Sequence, residues 1–165
     1  MQMEKRIFSL ASVSLAMALG WSGVARADDD ELRWKEIIGI IQAGNVVAGI
    51  TGGAQPWSTL GGHASVDLSS GRIRFRVDGL VLAGGNAIGT PDGIVQVKGT
   101  LVCAATTATP VVVDTPLVEL DAGGDAEFDG VVGALPAVCS SEPDVAFLVR
   151  IGAGRWIANG AVLRR

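Results

Sequence analysis

Tyrosine is absent from this chain of 165 residues, histidine occurs once, cysteine twice, and aromatic residues make up only 5%. One imidazole and two thiols are too few for a Cys/His zinc cluster or a His-rich metal site. No apolar heptad is sustained, and 48% of the residues are hydrophobic against 18% charged, which excludes a coiled coil and a disordered polar tail. There is no Gly-x-Ser-x-Gly elbow to present a serine nucleophile. The glycine-rich run Ala83 to Gly89 has neither Gly-x-Gly-x-x-Gly spacing nor a Lys-Ser/Thr ending, so it reads as a loop between strands rather than a phosphate cradle.

The N-terminus is organised as an export signal. Lys5 and Arg6 form a basic start, Ile7 to Leu19 an apolar core, and Ala25 and Ala27 a small-residue cleavage site ahead of Asp28-Asp29-Asp30. Serines and glycines dilute the apolar run, which argues against a spanning helix of about 20 apolar residues. The expected product is one domain, residues 28–165, secreted or periplasmic, with no membrane span once the signal is cleaved. Cleavage removes Lys5, Arg6 and Arg26 against Glu4, leaving 10 basic and 16 acidic side chains and a formal charge of −6. That balance speaks against nucleic acid as a partner. In an exported chain Cys103 and Cys139 are expected to pair as one disulfide.

From Val46 onward the apolar stretches are short, rich in Val and Ile, and bounded by Gly, Pro, Asp or Ser. Strands are expected near 37–42, 45–50, 63–68, 72–82, 93–103, 111–113, 117–120, 125–132, 145–151 and 155–163. Glu31 to Gln42 is ambiguous with a short helix, and Gly39, Gly44 and the isoleucines tip it toward strand. The fold class is all-β, a two-sheet antiparallel sandwich, with a small closed barrel as the alternative. Strict alternation over Arg72 to Val77 puts Ile73, Phe75 and Val77 on one face and Arg72, Arg74 and Arg76 on the other. Ser69-Ser70-Gly71 turns this strand back on Val66 to Leu68 as a hairpin. Val118 to Gly130 echoes that hairpin; chance recurrence of Val-x-Leu and Asp-Gly accounts for the echo at least as well as duplication does.

Four groups of residues carry the functional expectations. The row Arg72, Arg74 and Arg76, extended by Lys98, presents cationic forks suited to an anionic glycan, unless the acidic hairpin face balances it. Trp57, in a loop, offers a stacking surface for a sugar, the alternative being a plug at the end of the core. Asp121, Asp125 and Asp129 invite calcium, although their spacing matches no calcium loop and an acidic turn serves as well. His63 is the only available imidazole, so a small secreted hydrolase would depend on it or on a carboxylate pair among Asp67, Asp78, Asp92 and Asp114. The leading expectation is a non-catalytic structural or binding module of the envelope or extracellular space, with no cofactor and an anionic glycan or protein as partner. The hydrolase is the alternative.

Overall fold

The computed structural model describes residues 30–141 and 144–165, so the expected export signal lies outside the described residues. In chain order these form β1 (Glu31–Gly39), β2 (Val46–Val47), β3 (Ile50–Thr51), β4 (Trp57–Ser58), β5 (Gly61–Asp67), β6 (Arg72–Asp78), β7 (Val81–Leu82), β8 (Gln96–Cys103), β9 (Val111–Asp114), β10 (Val118–Glu119), β11 (Ala126–Val131), the short helix α1 (Val138–Ser141), β12 (Val145–Ile151) and β13 (Trp156–Arg164). The long strands join one antiparallel sheet in the order β10-β8-β12-β13-β1-β5-β6-β11, with β9 also on β8. β2 pairs β3, and β4 pairs β7, as two small accessory ladders.

The sheet curls. β6 and β12 are four steps apart in the strand order, which in a flat sheet would separate them by about 19 Å. Yet the Phe75 ring on β6 and the Phe147 ring on β12 lie 5.8 Å apart, and Phe147 also packs on Trp34 of β1 at 5.5 Å. At the two ends of the order, the Asp121 N–H donates to the Asp125 carbonyl (3.1 Å) in the turn that carries the chain from β10 to β11. The all-β antiparallel architecture is therefore as the sequence reads it. Of the two arrangements the sequence allows, the main sheet stays in one piece and curls as a half-barrel around its own side chains.

Alternation explains which residues fill it. Leu32 and Trp34 of β1, Ala64 and Val66 of β5, and Ile73, Phe75 and Val77 of β6 are all buried. In β1 the alternation slips at Lys35 and Glu36, two consecutive exposed residues, then resumes with Ile37. Gly99 of β8 faces inward, where an added Cβ would stand 2.7 Å from the Phe75 ring and 2.8 Å from the Phe147 ring. Only glycine leaves room for the two phenyls there.

The segment after β11 crosses from that edge of the sheet to β8, near the opposite edge. Val132 donates its N–H to the Gly71 carbonyl at 3.0 Å, and Leu135 and Val138 pack against the core. Cys139 then bonds to Cys103 at the end of β8, both sulfurs fully buried. The expected hairpin at Val118 to Gly130 is a different object. β10 and β11 share only the turn, with no ladder between them, because β11 belongs to β6 and β10 to β8. The resemblance to the β5–β6 hairpin is confined to sequence.

Candidate functional site: a charged wall and a loop-bearing end

The outer surface of β5, β6 and β11 is a charged wall. As the alternation requires, Arg72, Arg74 and Arg76 point outward, and across the ladder Arg74 faces Asp129 and Arg76 faces Glu127. Asp129 accepts from Arg72 at 2.7 Å and lies 3.3 Å from Arg74, while Asp78 pairs with Arg76 at 2.8 Å. The Arg72 hydrogen bond, helped by the charge of Arg74, holds the Asp129 carboxyl below the usual range. The acidic row expected on a separate hairpin thus lies beside the arginine row in the same sheet, and the two largely neutralise each other. Asp67, at the foot of the wall, accepts from the Ser69 hydroxyl at 2.7 Å and from the Ser69 and Ser70 N–H groups, which pulls its carboxyl down to about 2.

Lys98 does not extend this row. It lies on β8, four strands away in the order from β5, and belongs to a separate network around Asp114. Asp114 accepts from Lys98, from the Thr100 hydroxyl at 2.7 Å and from Arg150 at 3.2 Å. Burial works against ionisation of Asp114, but these donors outweigh it and hold the carboxyl below its ordinary value. The network ties β9 to β8 and β12.

The remaining expectations meet the following geometry. Trp57 is 6% exposed, on β4 opposite Leu82 of β7, so its ring is a core plug and not a stacking surface. Asp121, Asp125 and Asp129 do not converge: Asp121 caps its own turn through the N–H groups of Gly123 and Asp125, Asp125 accepts from the Gly79 N–H, and Asp129 is held by the arginines. Among the described residues no three His, Cys, Asp or Glu side chains are grouped to hold a metal ion. His63 is exposed on the wall opposite Arg76, and Ser65, two residues along the same face, is about 7 Å away by strand rise, beyond hydrogen-bonding reach. Of the four carboxylates weighed for a pair, Asp67, Asp78 and Asp114 are committed to the partners described, and Asp92 lies in the loop between β7 and β8.

Sequence reasoning passed over the end of the half-barrel where the long loops gather. Residues 40–60, 79–95, 120–125 and 152–155 all connect strands at that end. They leave aliphatic side chains in water: Leu60 is 91% exposed, Ile41 82%, Val95 66% and Ile88 62%. Around Pro91 to Val95 lie three clefts, of about 480, 230 and 190 Å³, all lined by Ile94. A fourth, of about 360 Å³, shares Glu119 and Asp121 with the largest. The signal was present in the sequence as apolar residues set among turn-forming Gly, Pro and Asp, where local geometry holds them out of the core.

Compared with protein-family models, curated proteins and solved structures, the chain matches none.

Proposed function

We propose that this chain is an exported module of an oxidising compartment that binds a partner through the loop-bearing end of its half-barrel, without chemistry on that partner. The observation that carries this reading is the set of aliphatic side chains held in water on the loops of that end, one of which, Val95, lines two of the clefts there. Apolar surface exposed in this way is the usual mark of a binding surface. The buried Cys103–Cys139 bond supports the compartment, since structural disulfides persist outside reducing cytosol. A rigid sheet beneath variable loops is also the common arrangement for recognition.

One observation favours a second reading, anion binding by the wall: Asp129 is shared between Arg72 and Arg74, so one carboxylate serves two guanidiniums. Thermal unfolding of the oxidised protein against sulfated glycans, neutral sugars and leucine-bearing peptides separates the two. A ligand at a hundredfold excess over its dissociation constant stabilises the folded state by about 2.7 kcal/mol, several degrees for a chain of this size. Peptides are expected to raise the midpoint of the native protein and not of Val95→Asp. A shift given by sulfated glycans alone, erased by salt and by Arg74→Ala, would overturn the reading in favour of the wall. His63→Ala is expected to leave binding intact; loss of a hydrolytic activity in that variant would establish the hydrolase instead.

A further inference from the structure

We infer that the clefts at the loop-bearing end act as one groove for an extended cationic polypeptide segment bearing apolar side chains, an inference that rests on the reading of that end as the binding surface. Continuity is the first argument. Ile94 lines three of the clefts, and Glu119 and Asp121 line both the largest and the fourth, so the depressions adjoin one another across the end of the sheet. A row of shallow connected hollows suits a chain laid along it better than a compact ligand, which buries most of its surface in one enclosure. Apolar side chains of such a segment would sit over half-buried Ile94 and exposed Val95.

Charge complementarity decides the sign of the occupant. The lining of the four clefts holds six carboxylates, among them Asp92, Glu119 and Glu127, against two guanidiniums, Arg76 and Arg155. Arg76 and Asp78 offset each other at 2.8 Å, which leaves five carboxylates against Arg155, itself turned to the Gly52 carbonyl at 3.1 Å. The groove therefore offers a negative rim above an apolar floor. Lysine or arginine side chains alternating with aliphatic ones meet both features, because alternate residues of an extended segment face opposite sides. An anionic segment would meet like charge.

The test is calorimetric titration of the oxidised protein with three twelve-residue peptides in which leucine alternates with lysine, glutamine or glutamate. The lysine peptide is expected to bind most tightly, to weaken as salt is raised, and to bind about tenfold more weakly to Asp92→Asn/Glu119→Gln/Glu127→Gln. Asp121 and Asp125 are left in place because they cap turns of the fold, and asparagine accepts the positive φ of position 92. Equal binding of the lysine and glutamine peptides, lost in Val95→Asp, would overturn the charge argument while leaving the loop end as the binding surface. Preference for the glutamate peptide, abolished by Arg74→Ala, would overturn both. Lysine-peptide binding that survives the triple substitution, or spermine binding as tightly as the peptide, would also overturn the inference. A dimer in sedimentation equilibrium that Val95→Asp dissolves would put a second copy of the chain in the groove instead.

Discussion

Gly99 and Asp67 show how single positions set both the interior and the acid limit of this fold. An alanine methyl at 99 would collide with the Phe75 and Phe147 rings, so Gly99→Ala is expected to cost about 1 to 3 kcal/mol, measured as a lower denaturant midpoint at unchanged slope. Gly124, at φ +83° with the Leu80 backbone 2.5 Å from its absent Cβ, makes the closing turn equally intolerant of a side chain. Asp67 has a folded-state pKa of about 2 because the serine donors favour its charged form, and Asp114, Asp129 and Glu31 are lowered as well. A lowered carboxylate stabilises the fold above its unfolded value, and that contribution is lost as pH falls through the folded one. The native protein is therefore expected to lose part of its thermal stability between about pH 4 and pH 2, solvent screening keeping the contribution of the exposed carboxylates small. Asp67→Ala, less stable at pH 5, should converge on it by pH 2, and parallel curves would contradict the assignment. At this scale the faces of Arg72 to Val77 were fully legible, since alternation needs no tertiary information. A core position was one of the two readings Trp57 allowed, but the strand opposite it was not legible, because Val81–Leu82 is far away in sequence and only two residues long.

Among the elements, β12 was legible to the residue, and β5, β9, β11 and β13 nearly so, each being an alternating or Val/Ile-rich run between turn residues, whereas the strand expected over 72–82 breaks at Gly79 into β6 and β7, which belong to different sheets. β1 was misplaced by six residues at its start. The slip at Lys35 and Glu36 breaks the period of two and leaves a pattern that a short helix would also give. What no local pattern held was the order of the strands: the acidic row and the arginine row are neighbours only because β11 joins β6 at the sheet edge. Since that wall is exposed and its pairs are screened, Arg74→Ala is expected to move the unfolding midpoint by no more than about a degree. The staple between Cys103 and Cys139, 36 residues apart, is a different matter. By loop-closure entropy its removal in Cys103→Ala/Cys139→Ala should cost about 4 kcal/mol, and amides of 132–141 should lose hydrogen-exchange protection first. Unchanged protection there would show that the segment is held without the disulfide, by the packing of Leu135 and Val138 and the Val132 hydrogen bond to Gly71.

For the molecule as a whole, a stapled half-barrel gathers its loops at one end, behind an N-terminus whose sequence is expected to direct export. N-terminal sequencing of the protein after secretion is expected to begin at Asp28, and a chain retaining Met1 would contradict the export reading. The claim on which the rest depends is that the loop end, and not the charged wall, meets the partner. Hydrogen–deuterium exchange of the oxidised protein, with and without a saturating amount of the lysine–leucine peptide, tests it most directly. Added protection is expected in residues 90–95 and 119–125. Protection confined to 72–75 and 128–131, the part of the wall outside the clefts, would contradict the account, placing binding on the arginine wall.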